Sequence, residues 1–336
     1  MSQGVTADWG ISAQAAALHR SALVWDDHGG FAYSKASILE GLERWRGAGI
    51  GYLSVNAGYD VVPWTLTLEA VSQYRHWIRA HPEMLVQVET VDDIDRARRE
   101  GKLAVAFDLE GMNALNGDIG MVDLYYRLGV RQMLFAYNHN NLAGGGCHDE
   151  DVGLTDFGRQ VVAEMNRVGM VVDCSHCAHR TSLEAMEASR APVVFSHSNA
   201  RRLWDHERNI WDDQIKACAA TDGVIGVTGV GRFLGPNGPT VRHLVEHIDY
   251  MVELVGPEHV GFGMDSVLHV HKPKQPFTRS REYWPERQYP DSGSGYVPPE
   301  DAPCLTQALL DRGYGEKDIR GILGENFLRV ARTVWK

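Results

Sequence analysis

Two histidines follow short apolar runs in the middle of the chain. His176 ends the run GMVVDCSH at 169–176, and His197 ends the run APVVFSH at 191–197. Apolar runs of this length are typical of buried parallel strands, and the carboxyl ends of neighbouring parallel strands meet at one edge of a sheet. Because neutral imidazoles are common zinc ligands, the two histidines predict part of a metal site.

Other apolar runs also end in side chains that could bind a metal or move a proton. Side chains alternate along a strand, so Asp26 and His28 are predicted to share one face, and Asp108 and Glu110 another. A lone strand-end histidine or aspartate is more often structural, but converging histidines and carboxylates favour zinc or a similar divalent ion. The candidates at strand ends and in the adjoining loops are Asp26, Asp27, His28, Asp108, Glu110, Tyr137, His139, Cys147, His148, His176, His197 and Asp265.

The composition excludes several classes of protein. A net charge of −11 over 336 residues argues against a nucleic-acid partner, which requires a basic face. The first twenty residues lack the layout of a secretory signal, and no run reaches the ~18 apolar residues of a membrane span. Five cysteines form no visible disulfide framework, and Cys174 and Cys177 are interpreted as packing residues. These features predict a cytoplasmic enzyme that acts on a small molecule, without membrane contact.

Strand-like runs alternate with helix-like patterns along the chain. Apolar residues at helical spacing occur at 38–45, at 157–168 with Thr155 or Asp156 as N-cap, and at 241–255. Eight strands that alternate with helices predict one (β/α)8 TIM barrel domain over residues 1–336. A doubly wound sheet would need a GxGxxG turn, which is not found after the first strand. The predicted strands are 22–28, 50–56, 103–110, 130–137, 170–176, 192–197, 223–228 and 259–265.

Residues 266–298 interrupt this alternation. The segment contains five prolines and is rich in aromatic residues, among them Tyr283, Trp284, Tyr289 and Tyr296; the prolines are Pro273, Pro276, Pro285, Pro290 and Pro298. It follows the eighth predicted strand and therefore emerges on the face where barrel enzymes place their active sites. We interpret it as a lid-like or dimer-contact insertion, with a plain surface loop as the alternative.

Four stretches carry a resemblance to a known family. They are GLTDFGRQVVAEMNRVGMVVDCSH at 153–176, APVVFSHSNARRLWDHERNI at 191–210, GFGMDS at 261–266 and GYGEKDIRGILGENFLRV at 313–330. On these motifs the sequence resembles the membrane (renal-type) dipeptidase family of zinc peptidases, in its soluble bacterial branch. The resemblance implies a metal-dependent hydrolase of the TIM-barrel type that cleaves dipeptides at a binuclear zinc centre and forms a homodimer.

The resemblance also implies roles for individual residues. Glu110 would bridge the two metals, and His176 and His197 would complete the shell of one of them. His28 would belong to the other metal. Asp265 would be the general acid and base that handles the proton of the bridging water.

The substrate side of the resemblance rests on three further residues, and the sequence departs from the family at two positions. Arg208 would bind the C-terminal carboxylate of the substrate through its planar fork. Where the family has an aspartate ligand two residues after His28, this chain has Gly30. Where the family has a substrate-contacting histidine, this chain has Tyr137, and His148 on the following loop is predicted to replace it.

Three functions remain open at this point. The first is a dipeptidase with two metals. The second is an amidohydrolase with one firmly bound metal ion, held by Glu110, His176 and His197. It would act on a different amide that carries a free carboxylate. The third is a barrel that has lost its peptidase activity, against which Asp265 argues because a proton-transfer carboxylate has little structural reason to be there.

Overall fold

The computed structural model describes residues 8–30, 39–267, 281–290 and 295–336, without the side chains of residues 39 and 40. Its strands are β1 Trp25–Gly30, β2 Tyr52–Tyr59, β3 Leu85–Gln87, β4 Leu103–Glu110, β5 Val130–Leu134, β6 Val171–Asp173, β7 Val193–Phe195, β8 Val224–Val227, β9 Val260–Phe262 and β10 Ser266–Val267. Its α-helices are α1 Ala13–Ser21, α2 Leu39–Gly47, α3 Trp64–Ala80, α4 Val91–Glu100, α5 Gly120–Arg127, α6 Asp156–Val168, α7 His179–Ala188, α8 Asp212–Ala220, α9 Gly231–Leu234, α10 Val241–Val255, α11 Ala302–Asp311, α12 Glu316–Arg320 and α13 Asn326–Val334.

The strands form one parallel sheet that closes on itself. Its order is β10-β1-β2-β4-β5-β6-β7-β8-β9, and β3 adds to the first half of β4. β9 pairs with β8, and β10 pairs with β1. Because β9 and β10 belong to the same short segment, 260–267, that segment joins the two edges of the sheet. The predicted TIM barrel is therefore confirmed, with β1, β2 and β4 to β9 as its eight strands.

The amino-terminal mouth of the barrel is filled by the last helix of the chain. Phe327 of α13 enters the barrel, where a Cβ on Gly226 or Gly261 would lie 3.2 or 2.5 Å from its ring. The ring also stacks on Trp25, with the centroids 6.2 Å apart, and Trp25 stacks on Tyr52 at 3.5 Å. The two glycines thus make room for an aromatic plug, and polar chemistry is left to the opposite mouth.

Most of the predicted elements are present, and several strands end earlier than the sequence suggests. All eight predicted strands are found, and α6 and α10 confirm the helical patterns at 157–168 and 241–255. The predicted N-cap Thr155 accepts a hydrogen bond from the Gly158 backbone N–H. β6, β7 and β9 end before the residues expected to close them, because those residues turn away from the sheet into the site. Position 38 of the helix predicted at 38–45 lies outside the described residues, as do 268–280 and 291–294 of the predicted insertion.

The prediction that Asp26 and His28 share a face of β1 is wrong. The register between β1 and β2 shifts between Asp26 and Gly29, and such a bulge breaks the alternation of side chains. Asp26 accepts a hydrogen bond of 2.7 Å from the indole Nε1 of Trp45 on α2, outside the barrel. His28 instead turns inward toward Asp108.

Replacing the aromatic plug tests its contribution to stability. Phe327→Ala should lower the free energy of unfolding by about 3–5 kcal/mol, because the cavity between two glycine-lined strands cannot collapse. Denaturant unfolding followed by circular dichroism measures this change. Leu124→Ala is the control, because Leu124 on α5 is 40% exposed and should cost less than about 0.5 kcal/mol. Equal losses in the two variants would contradict the role of the plug.

Candidate metal centre

Three ligand-type atoms meet inside the carboxyl-terminal mouth of the barrel. The Nε2 atoms of His176 and His197 lie 2.9 Å apart. Each faces Oε1 of Glu110, at 3.0 Å from His176 and 3.3 Å from His197. All three residues are buried. The structure therefore brings together the two histidines and the carboxylate that the sequence singled out.

His28 and Asp265 lie on the other side of Glu110. The Nε2 atom of His28 is 3.7 Å from Glu110 Oε1 and 3.5 Å from Asp265 Oδ1. The His28 ring stacks on the His197 ring with the centroids 3.9 Å apart. His28, Glu110 and His197 each offer one ligand atom within 4.8 Å of the others. A Cβ atom placed on Gly30 would lie 3.3 Å from Asp265 Oδ1. Gly30, which has no side chain, therefore borders the same space.

Unusual backbone angles aim two of these side chains. His176 has a φ of 63° and Asp265 a φ of 55°, and Asn138 beside them has a φ of 62°. Non-glycine residues seldom adopt the left-handed region, and those that do cluster at functional sites. Each angle turns the chain sharply just after a strand, so the side chain points across the mouth instead of along the barrel wall.

The Nδ1 atom of each of the three histidines is held by a neighbour. His28 Nδ1 lies 3.3 Å from Asp108 Oδ1, and His176 Nδ1 lies 2.6 Å from Asn138 Oδ1. His197 Nδ1 lies 2.6 Å from Ser196 Oγ. When Nδ1–H donates to such an acceptor, the lone pair of Nε2 is free to bind a metal. The geometry thus presents three Nε2 atoms to one space.

Burial and charge separate the pKa values of these groups. Burial is the main reason that the pKa of Glu110 is raised, with Asp265 and Asp108 adding to it. Burial, with Arg208 and His28, holds the pKa values of His176 and His197 well below their ordinary value. Neutral imidazoles are the form that ligates.

His28 differs from the other two histidines. Burial alone would lower the pKa of His28, but the neighbouring carboxylates of Asp108 and Glu110 outweigh it and raise that pKa well above its ordinary value. The His28 side of the space is therefore the more negatively charged side, which favours a cation there.

Arg208 lies beneath His197 rather than at the open mouth. It is 2% exposed, and its Nη1 and Nη2 donate to Ser198 Oγ at 2.9 Å and to the His197 carbonyl at 2.7 Å. Its Nε makes no hydrogen bond with the described part of the chain. Arg208 and His176 both line a cavity of about 170 Å³, which Glu207 and Trp211 also border. Nε is thus the one nitrogen of the predicted carboxylate-binding fork without a hydrogen bond to the described part of the chain.

His148 is placed differently from what the sequence suggested. Both of its ring nitrogens have partners, Nδ1 with Glu207 Oε2 at 2.8 Å and Nε2 with Tyr289 Oη at 3.0 Å. Arg287 donates to Glu207 and to the His148 carbonyl. His148 therefore links the loop after β5 to residues 281–290, instead of extending a free nitrogen into the mouth.

Aromatic residues cover the His176 side of the mouth. The Tyr137 ring stacks on the His176 ring with the centroids 4.3 Å apart, and Trp284 Nε1 donates to Tyr137 Oη at 3.3 Å. The Tyr283 carbonyl accepts a hydrogen bond of 3.0 Å from Asn138 Nδ2. Residues 281–290 thus contact both the predicted substrate residue Tyr137 and the partner of a histidine.

Sequence reasoning missed three residues of the site. Asp173 and Ser196 stand inside the motifs DCSH and FSHS, where their positions just before the histidines were the available signal. Asn138 had no such signal, because only the folded chain brings it to His176. Cys174 and Cys177 are buried in the main core, as predicted for packing residues.

Comparison with known proteins identifies the family. The profile of the membrane dipeptidase family (peptidase family M19) matches residues 48–271 and 290–336, which is most of the chain. The chain belongs to the membrane dipeptidase family. The resemblance seen in the four motifs is thereby confirmed. Within the described ranges, no helix of this family member has the length and apolar character needed to span a bilayer.

Individual relatives agree with this assignment. An uncharacterized dipeptidase of Schizosaccharomyces pombe is 35% identical over 282 residues, which are 80% of this chain and 62% of that protein. This chain thus spans less than two thirds of that relative's length. The crystal structure of an amidohydrolase from Pseudomonas aeruginosa is 29% identical, with a TM-score of 0.85 over 96% of this chain and 99% of that one. A metallopeptidase from Rhodobacter sphaeroides, liganded with a phosphinate mimic of L-Ala-D-Ala, shares the fold at 19% identity, with a TM-score of 0.77 over 94% of this chain and 99% of that one.

The contact between His148 and Glu207 predicts a pH dependence. Burial favours the neutral ring, but Cys147 and Glu207 outweigh it and raise the pKa of His148 from 6.5 to about 9. The hydrogen bond from His148, more than any other effect, lowers the pKa of Glu207 from 4.5 to about 2. A raised histidine pKa means stability that is fully present below pH 6.5 and is lost as the pH rises through about 9. A lowered carboxyl pKa means stability that is present above pH 4.5 and is lost as the pH falls through about 2.

Glu207→Gln should bring the pKa of His148 down from about 9, as measured by NMR titration of the ring. The difference in melting temperature from the wild type should be greatest between pH 4.5 and 6.5, and it should shrink above about pH 9. Glu150→Gln, an exposed change on the same loop, should leave the titration of His148 in place. An unchanged His148 pKa in Glu207→Gln would show that Glu207 does not set it.

Proposed function

We propose that the protein is a metal-dependent dipeptidase that hydrolyses the amide bond of dipeptides. The observation that carries this proposal is the meeting of His176 Nε2, His197 Nε2 and Glu110 Oε1 within 2.9 to 3.3 Å of one another. Family membership supports the same function. In this proposal the three residues hold one divalent ion, which we take to be zinc.

The residues present fit such an ion. Imidazole nitrogens and a carboxylate oxygen are the donor set that zinc prefers, and Nδ1 partners hold the rings with Nε2 facing inward. The Nε2 atom of His28 lies 3.7 Å from Glu110 Oε1 and 3.5 Å from Asp265 Oδ1, which places it to act as a further ligand. When bound, the metal supplies Lewis acidity toward a carbonyl oxygen and toward water.

Asp265 is proposed as the group that moves the proton. Its side chain is 23% exposed, against 8% for Glu110 and 3% for Asp108, so it is the carboxylate best able to reach a substrate. Its backbone N–H donates to the His28 carbonyl at 2.9 Å, which fixes it at the rim of the mouth. A carboxylate in this position can take a proton from water and pass it to the leaving amine.

The remaining residues are proposed to hold the substrate. Arg208 would recognise the free carboxylate of a dipeptide through its Nε–H, while Nη1 and Nη2 donate to Ser198 and to the His197 carbonyl. Tyr137 would line the mouth, and His148 would act indirectly, by anchoring residues 281–290. The dipeptide mimic bound by the Rhodobacter sphaeroides metallopeptidase supports a substrate of this size for the shared fold.

Gly30 supports a second candidate function. The family's second metal uses an aspartate at this position, and glycine offers no side-chain ligand. With one firm metal at Glu110, His176 and His197, the enzyme would be an amidohydrolase acting on another amide that carries a free carboxylate. The similarity to the Pseudomonas aeruginosa amidohydrolase agrees with this alternative.

Three further properties belong to the proposal. Residues 266–298 would form a lid-like or dimer-contact insertion of a single barrel domain, which the contacts of Tyr283, Trp284 and Arg287 with the site support. The five free cysteines agree with a cytoplasmic enzyme. A homodimer is proposed from the family resemblance, and light scattering after gel filtration tests it.

The metal content of purified protein tests the centre directly. We expect at least one zinc ion per chain, and Gly30→Asp should raise the occupancy of a second site, because an aspartate there would supply the missing carboxylate. Elemental analysis under chelator-free conditions measures both. Gly30→Ala is the matched control, since it adds the Cβ without a ligand and should leave the count unchanged. A wild type without metal would refute the proposed centre. An unchanged number of zinc ions per chain in Gly30→Asp would mean that another group already supplies the missing ligand.

A panel of dipeptides, including members with a D-residue at the C-terminal position, tests the activity. Asp265→Asn should lower kcat by about 10²–10⁴-fold, while the metal content stays at the wild-type level, because the change removes the proton carrier and not a predicted ligand. Asp118→Asn, an exposed change on a surface turn, should retain full activity. Turnover of other amides with a free carboxylate, but of no dipeptide, would favour the amidohydrolase.

A further inference from the structure

A buried chain of hydrogen bonds runs from Asp173 to His197. Ser196 Oγ lies 2.5 Å from Asp173 Oδ2 and 2.6 Å from His197 Nδ1. Asp173 is 3% exposed, and Ser196 and His197 are fully buried. One hydroxyl thus stands between a carboxylate and the histidine that faces Glu110.

The direction of this chain follows from counting hydrogens. Asp173 Oδ1 accepts the backbone N–H groups of Ser175 at 2.8 Å and of Ser196 at 3.1 Å. Two backbone donors on one oxygen favour the ionised carboxylate, which can only accept at Oδ2. The single hydroxyl hydrogen of Ser196 therefore points to Asp173, and Ser196 Oγ accepts from His197 Nδ1–H.

The second neighbour of Ser196 agrees with this direction. Ser175 Oγ accepts the His197 backbone N–H at 3.1 Å and lies 3.2 Å from Ser196 Oγ. Because the Ser196 hydrogen is directed to Asp173, Ser175 is the donor in that contact. Each hydrogen in the group then has one acceptor, and His197 carries its proton on Nδ1.

We propose that Asp173 is a positioning residue of the metal centre, which acts through the Ser196 hydroxyl to keep His197 in the Nδ1–H tautomer with Nε2 open to the metal. The inference rests on the proposed function, since it takes His197 as a metal ligand. Asp173 touches neither the substrate nor the metal in this arrangement. Its effect reaches the centre through one proton on His197.

If Asp173 had a purely structural role, Asp173→Asn would change neither the zinc affinity nor the His197 tautomer. Its Oδ1 caps two backbone N–H groups, and asparagine would preserve that cap along with the shape of the side chain. The proposed role predicts a different result. The amide –NH2 would then replace Oδ2 and donate to Ser196 Oγ, so the hydroxyl hydrogen would turn to His197 Nδ1. His197 would be left with its proton on Nε2, the atom that faces Glu110 and His176. A flipped amide would instead set its –NH2 against two backbone N–H groups, at the cost of lost hydrogen bonds.

The test compares metal affinity and tautomer in the same proteins. Zinc affinity is measured by competition with a chromophoric chelator, and the His197 tautomer by ¹⁵N NMR of histidine-labelled, metal-free protein. Asp173→Asn should weaken zinc binding by about 10–100-fold and move the His197 proton to Nε2. Ser196→Ala should weaken it less, because the ring is then free to adopt either tautomer. Asp249→Asn is the control, since Asp249 on α10 accepts hydrogen bonds from Arg312 and Tyr314 and contacts no residue of the centre.

Each outcome is decisive. Wild-type affinity together with an Nδ1–H ring in Asp173→Asn would overturn the inference, as would an equal loss in Asp249→Asn. If Asp173→Asn does not fold, Ser196→Ala decides, because a ring that remains entirely Nδ1–H without the hydroxyl would also overturn it. Absence of zinc binding by the wild type would refute the proposed function, whereas the NMR measurement would still report whether the proton chain exists.

Discussion

The constraint on which this structure depends is the burial of acidic and imidazole groups in one small space. Glu110 lies within 3.0 to 3.7 Å of three histidine nitrogens, and Asp108 lies directly behind His28. Charges removed from water are costly unless opposite charges or hydrogen bonds compensate them. Arg208 and the serine, asparagine and backbone donors around the carboxylates supply part of this compensation. The donor set as a whole matches a divalent cation.

The sequence was most informative where chemistry and strand pattern coincide. The apolar runs predicted the eight barrel strands, and their last residues predicted Glu110, His176 and His197, which do come together. The bulge in β1 was missed, although Gly29 and Gly30 lie directly beside it and glycine inside a strand often marks a bulge. Asp26 turns outward there while His28 turns inward. His148 was predicted to contact the substrate, and its hydrogen bond with Glu207, 59 residues away along the chain, was not foreseen. Contacts of that range depend on loop conformations that periodicity does not encode.

The lining of the mouth links distant parts of the chain to the histidines. Asn138 accepts from His176 Nδ1 through its carbonyl oxygen and donates to the Tyr283 carbonyl through its amide nitrogen. Because an amide has one accepting and one donating end, the Tyr283 carbonyl determines which end faces His176. Residues 281–290 therefore help to orient a group inside the barrel, in addition to covering it. This gives a physical reason why an aromatic segment after the last strand belongs to the site.

The segment that closes the barrel also carries Asp265, and this sets an order on the assembly of the protein. His28 precedes β9, Asp265 and β10 by more than 200 residues and is therefore made well before them. β1 cannot receive its β10 neighbour, nor His28 its contact with Asp265, until that late segment has left the ribosome. Any sheet that forms before then is open, and its two unpaired edges are surfaces prone to pair with other chains. The barrel closes and the site becomes complete in the same step, when β10 pairs with β1.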